Sequence, residues 1–168
     1  MPEGEGFDAF YAASRQRLLR QLTAITADRE QGLDVLQDAY VRAWQHWDRV
    51  SRLDDPEAWV RKVAWRLAMS RWRHVAVVLR SQSRLTVTAG ATTDALDDAL
   101  DVRAALSRLP AGQRLVLVLH ELCDLSVAQV AKETGLSQGT VKTRLMRGRA
   151  ALAALLTTGE ESRDVRPA

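Results

Sequence analysis

The sequence predicts an all-α protein: two small helical domains joined by a flexible linker. Three observations predict it. Glycine and proline are sparse, 9 and 4 of 168 residues, and long stretches lack both, which favours helices over strands and turns. Apolar residues recur three or four apart through most of the chain, the period of one helical face. Between 81 and 93 that pattern gives way to Ser, Thr, Ala, Gly and Gln, the composition of a flexible connector. The expected boundaries are therefore 1–80, a linker at 81–93, a second domain at 94–156, and a polar, disordered tail at 157–168.

In the first domain, Phe7, Phe10, Tyr11, Leu18, Leu22 and Ile25 mark one helical face. A break at 28–32 precedes a second helix in which Leu33, Leu36, Tyr40, Val41, Trp44 and Trp47 recur at spacings of three, four, one, three and three. Asp54-Asp55-Pro56-Glu57 reads as a helix start, with an aspartate cap, proline in the first turn and acids at the positive dipole end. The apolar run Val75 to Leu79 either finishes that third helix or packs under the linker. In the second domain, Leu96, Leu100, Ala104, Ala105 and Leu109 mark a helix that stops at Pro110. Leu115 to Leu122 is nearly continuous apolar sequence, expected as a central buried helix.

Composition excludes several functions. The single cysteine, Cys123, permits no disulfide within the chain and no multi-thiolate metal site, and is expected as a small buried residue. His46, His74 and His120 are scattered without ligand spacing, so no metal and no cofactor is expected. No nucleophile motif or phosphate-cradling glycine loop occurs, and no enzyme is expected. The acidic, polar start is wrong for a signal peptide, and no apolar run approaches the roughly 20 residues that span a bilayer. The expectation is a cytoplasmic protein without membrane insertion.

The net charge is only +3, but its distribution is uneven. From 28 to 57, eight acids stand against four arginines. Residues 59–73 carry Arg61, Lys62, Arg66, Arg71 and Arg73 and no acid; 137–149 carry Lys142, Arg144, Arg147 and Arg149 and no acid. Two cationic blocks suggest two contacts with a polyanion, and the acidic stretch suggests a protein partner.

The strongest local signal runs from Ser126 to Arg149. Ser126 can cap a short helix with Val127, Val130 and Ala131 inward, and Gly135 supplies the left-handed backbone that turns the chain. Ser137 caps a second helix anchored by Val141 and Leu145. Alanine, glycine four residues later and valine six after that is a helix-turn-helix pattern. At about 100° per residue, Lys142, Met146 and Arg149 share one stripe, with Thr143 and Arg147 beside it. Such side chains can enter a major groove, where Arg or Lys pairs with guanine and Thr or Met meets a thymine methyl.

All five tryptophans, at 44, 47, 59, 65 and 72, fall within 29 residues. On a wheel from Val60, the residues Val60, Val63, Ala64 and Leu67 form a buried face, and Trp59 reads as core. Trp65 and Trp72 lie together on another face beside Lys62, Arg66 and Arg73. Two readings stay open for them: a surface that stacks unpaired bases, or packing against a neighbouring helix.

The order of these parts resembles bacterial RNA polymerase sigma factors of the extracytoplasmic-function (ECF) type, actinobacterial SigE-like members included, over about 7–156. Leu36-Gln-Asp-Ala-Tyr-Val-Arg-Ala-Trp44 looks like the family's polymerase-docking helix. Pro56-Glu-Ala-Trp-Val-Arg-Lys-Val-Ala64 and the residues to His74 look like its promoter-melting helix. Leu109-Pro-Ala-Gly-Gln-Arg114 and 125–152 look like its upstream-element reader. The resemblance implies that Val35, Leu36, Asp38, Arg42 and Trp44 bind the clamp helices of the β′ subunit, the β flap being a further contact. It implies that the loop from Asp48 to Asp55 captures a flipped base, while Trp59, Lys62, Trp65, Arg66, Trp72 and Arg73 hold melted promoter DNA. Ser137, Thr140, Lys142, Thr143, Arg144, Met146, Arg147 and Arg149 would read double-stranded promoter DNA, and an anti-sigma factor is a candidate partner. The chain departs from the family at Arg66 and Ser70, where members usually carry asparagine and aspartate. The alternatives are a helix-turn-helix regulator that binds DNA independently of polymerase, and a helical adaptor that binds only proteins.

Overall fold

The computed structural model describes the backbone at 3–81 and 97–163 and the side chains at 6–74 and 102–157. The chain divides into two compact units, Met1–Val87 and Thr88–Ala168. Described residues form eight helices and no strand. Apart from Ser81, the expected linker lies outside the described residues.

The first unit contains α1 (Glu3–Thr26), α2 (Arg29–Gln45), α3 (Trp47–Val50) and α4 (Pro56–Ser81). Leu18, Leu22 and Ile25 of α1 are fully buried, as are Val35, Leu36 and Ala39 of α2 within one per cent. The break between these helices is only two residues long. Ala27 takes a left-handed φ of 58°, the Thr26 hydroxyl donates to Leu22 O at 2.8 Å, and Asp28 Oδ1 accepts from Gln31 N at 3.0 Å. Gly32, expected in the break, sits inside α2, where a Cβ would lie 3.0 Å from the Thr23 backbone nitrogen. The missing side chain lets α1 and α2 approach closely.

An aromatic cluster closes the far end of this pair. α2 stops at Gln45, so Trp47 stands on α3 rather than continuing the α2 stripe, and its ring meets Phe7 and Phe10 at 5.3 and 5.1 Å. Tyr40 packs 4.8 Å from Tyr11 and shares a 2.7 Å hydrogen bond with Ser14. Ser14 donates its own proton to Phe10 O, so Tyr40 is the donor in that bond. Burial pushes the Tyr40 phenol up to about 12. The Asp-Asp-Pro-Glu signal is a helix start as expected: Asp55 Oδ1 accepts from Ala58 N at 2.9 Å.

Helix α4 packs against both α1 and α2, which widens and rotates its buried face. Val60, Ala64 and Ala68 are buried together with Arg61 and Trp65, whereas Val63 and Leu67 are only half-buried. The backbone of Val75 to Leu79 continues α4.

The second unit contains α5 (Asp97–Ser107), α6 (Ala111–Glu121), α7 (Val127–Thr134) and α8 (Gln138–Arg163). α6 is the expected central helix, with Leu115 to Leu119 all buried. Pro110 separates it from α5, and Arg114 joins them by donating to the carbonyls of Leu106, Ser107 and Leu109 at 3.0–3.3 Å. Burial lowers the pKa of Arg114, but an arginine stays charged, and three carbonyls at a helix C-terminus suit its cation. Cys123 is half-buried, not buried as expected, because it lies beyond the α6 C-terminus. α8 continues to Arg163, so 157–163 is helical where a disordered tail was expected. No proline interrupts it, and Thr157 Oγ1 donates to Ala153 O.

Candidate nucleic-acid and protein interfaces

The helix-turn-helix forms from local chemistry. Ser126 Oγ accepts from Gln129 N at 3.2 Å while Gln129 Oε1 accepts from Ser126 N at 2.8 Å, a reciprocal cap that satisfies two orphan donors. α7 ends at Gly135, left-handed at φ 75°. Ser137 Oγ accepts from Thr140 N at 3.1 Å and starts α8. Val130 and Val141 are fully buried and Leu145 nearly so. That anchoring leaves Lys142, Thr143, Met146 and Arg147 exposed on α8, Met146 at 64 %.

Two cations of the expected reading set are committed elsewhere. Arg149 is bound to Glu121 of α6, its Nε at 2.8 Å from the carboxylate. Arg144 folds back over α6, where a Cβ on Gly112 would lie 2.8 Å from its Nη1. The wheel put Arg149 in the reading stripe and the family resemblance added Arg144, but α6 packs against α8 beside both. Lys142 and Arg147 have no carboxylate partner among the described residues. Ser137 and Thr140 share a 2.9 Å hydroxyl contact at the α8 N-terminus, and the Thr143 hydroxyl donates to Gly139 O at 3.0 Å. Gln138, which sequence reasoning gave no role, is exposed in the first turn beside Lys142. Its place one turn before Lys142 was the available signal.

On α4, Trp65 and Trp72 fit the second of their two readings, packing against a neighbouring helix, and not the base-stacking surface that the resemblance implied. Trp65 is 6 % exposed, with the Arg66 guanidinium over its ring at 5.7 Å. It does not share an open face with Trp72, because the buried stripe is rotated towards it. Trp59 is half-buried. Trp72 is half-buried and donates Nε1–H to Gln31 Oε1 at 3.3 Å, tying it to α2. Arg66, Ser70 and Arg73 are exposed, and Lys62 is half-buried. Asp48 lies in α3 rather than in a loop, and Asp55 caps α4; both are exposed.

On α2 the expected docking set splits. Val35 and Leu36 are 1 % exposed and belong to the core with α1, so neither presents a side chain to a partner. Asp38, Arg42 and Trp44 are exposed, Trp44 at 62 %. Val41, expected on the apolar face of this helix and given no docking role, is 54 % exposed. With Phe7, Tyr11, Gln37, Tyr40 and Trp44 it lines a groove of about 420 Å³. A helical period cannot separate such an outward apolar pair from a core stripe, and this is why Val41 and Trp44 were read as one face with Leu36. No helix among the described residues is long and apolar enough to cross a membrane.

Comparison with known proteins covers both units. Residues 10–76 match the family model for Sigma-70 region 2, and 99–152 match that for Sigma-70, region 4. The chain is 32 % identical over 143 residues to the ECF RNA polymerase sigma factor SigL of Mycobacterium tuberculosis, covering 82 % of this chain and 81 % of that protein. It is 30 % identical over 161 residues to the RNA polymerase sigma-E factor of Streptomyces avermitilis, covering 95 % and 87 %. Among solved structures it is similar in fold to the sigma factor RpoE bound to the anti-sigma factor NepR from Bartonella quintana. That match has a TM-score of 0.78 at 22 % identity, covering 91 % of this chain and 98 % of that one.

Proposed function

The chain belongs to the ECF RNA polymerase sigma factors, and from that premise we propose that it docks on core RNA polymerase, selects promoters and assists strand opening. The observation that carries the reading is the second cationic block. α8 presents Lys142, Thr143, Met146 and Arg147 on one exposed face of a capped helix-turn-helix. That face suits a major groove: cations for guanine edges and phosphates, Thr and Met for thymine methyls.

Docking falls to the exposed part of α2. Asp38, Arg42 and Trp44 offer charge and one large apolar anchor, the mixture that dominates protein interfaces, to the β′ clamp helices. The β flap is the contact proposed for the second unit. Strand opening falls to Asp48 to Asp55 and to the exposed cations Arg66 and Arg73, which would hold phosphates of unpaired DNA. Trp65 takes no part in stacking, since its ring is buried. Trp72 could stack a base only after leaving Gln31. An anti-sigma factor is a further proposed partner, supported by the complexes in which similar folds are found.

The test is assembly with purified core polymerase. Wild type should co-elute with core enzyme and bind promoter DNA only in its presence, while Asp38→Ala keeps the fold but weakens co-elution. Tight promoter binding without polymerase would instead favour an independent helix-turn-helix regulator.

A further inference from the structure

One exposed cation of α4 is not open. Arg71 Nη2 lies 2.8 Å from Asp38 Oδ2, and its Nη1 lies 3.9 Å from Asp34 Oδ2. Asp34 and Asp38 stand four residues apart on α2, one above the other, so their charges repel unless something lies between them. Arg71 lies there. The next residue, Trp72, bonds Gln31 one turn earlier on the same α2 face. α4 and α2 are therefore joined by a short polar zip: Gln31, Asp34 and Asp38 on one side, Arg71 and Trp72 on the other.

We infer that Arg71 is a shared cation, held by Asp34 and Asp38 in the free chain and released to single-stranded DNA when a cationic group of the docking partner takes Asp38. The inference rests on the proposed docking role of Asp38. The pair is accessible, with the Arg71 side chain 47 % and the Asp38 side chain 51 % exposed, so it can exchange. Exposed pairs are weak, which a switch requires: a competing cation can replace Arg71, and a phosphate can then receive it. While Asp38 holds Arg71, the acid-free block of α4 acts with one cation fewer, and each cation withheld from phosphate lowers affinity for a polyanion. Docking and strand capture then become coupled through one side chain.

The coupling can be read on the free chain, without polymerase. A fluorescein-labelled single-stranded DNA of mixed sequence is titrated at low salt with wild type, Asp34→Asn/Asp38→Asn, Arg71→Gln, and the triple variant. Removing two acids strengthens binding by general electrostatics in any background, so the cycle isolates the arginine. The account expects the gain from the two Asn substitutions to be roughly two- to fivefold larger with Arg71 present than in the Arg71→Gln background. An equal gain in both backgrounds, or no measurable binding by any of the four proteins, overturns it. The docking reading fails separately, by loss of co-elution between wild type and core polymerase, so the two failures are distinguishable. Far-ultraviolet melting of each variant accompanies the titration, and a gain seen only in proteins melted at the assay temperature counts against the switch.

Discussion

Helices α4 and α8 are each 26 residues long and each carries an acid-free cationic stretch, yet they expose different chemistry. In α8 the core residues Val141 and Leu145 fix one side, and the opposite side is left to Lys142, Thr143, Met146 and Arg147. α4 is wedged between two helices, so Trp65 is buried and Trp72 is tied to α2. The difference teaches that the placing of neighbours matters more than their number: α8 meets α5, α6 and α7 and still leaves that face open, whereas α4, between α1 and α2, has Trp65 covered. Charge is the steadier guide because desolvating it is costly, while a tryptophan gains by burial wherever a neighbour offers a surface.

The largest expected effect breaks the α4 side of this contrast. Trp65→Ala should cost about 3–5 kcal/mol of stability, as aromatic truncations in a core do, measured by urea unfolding. Unchanged stability with weaker binding of unpaired DNA would return Trp65 to the surface. Next, Trp44→Ala should weaken core-polymerase binding by about 2 kcal/mol with an unaltered melting curve, since the side chain is exposed. A stability loss of that size with intact polymerase affinity would make Trp44 a packing residue.

On α8, Arg147→Ala should weaken binding to the upstream promoter element by roughly 1–3 kcal/mol. Arg149→Ala should cost less, because Arg149 is engaged with Glu121; equal losses in a gel-shift titration would show that this pair opens on DNA. The smallest effect is Tyr40→Phe, about 1 kcal/mol from the lost bond to Ser14. The raised phenol pKa has a signed consequence. The neutral phenol is favoured in the folded chain, so its contribution is complete below pH 10 and is lost as pH rises towards 12. Alkaline unfolding between those values should be shallower in the Phe variant.

The fold was legible where local chemistry decides it. Asp28, Asp55, Ser126, Gly135 and Ser137 punctuate the chain, and all five stand at helix ends. The helix-turn-helix was legible for the same reason, since its caps and turn lie within about a dozen residues. What depends on packing between helices was not. Val35 and Leu36 against Trp44, and Trp65 against Trp72, share a period, and only the neighbouring helix decides which is covered. The commitments of Arg71, Arg144 and Arg149 join residues 28 to 37 positions apart, beyond any spacing rule. Gln138 and Val41 were overlooked because one is uncharged and the other reads as core.

The central claim is that the exposed face of α8 chooses promoters for a polymerase held by the first unit. Run-off transcription on a promoter library, with purified core polymerase and either wild type or Lys142→Ala/Arg147→Ala, tests it most directly. The account predicts polymerase-dependent initiation by both proteins, with the double variant relaxing preference at the upstream element and leaving the downstream preference unchanged. An upstream preference identical in the two proteins would contradict it.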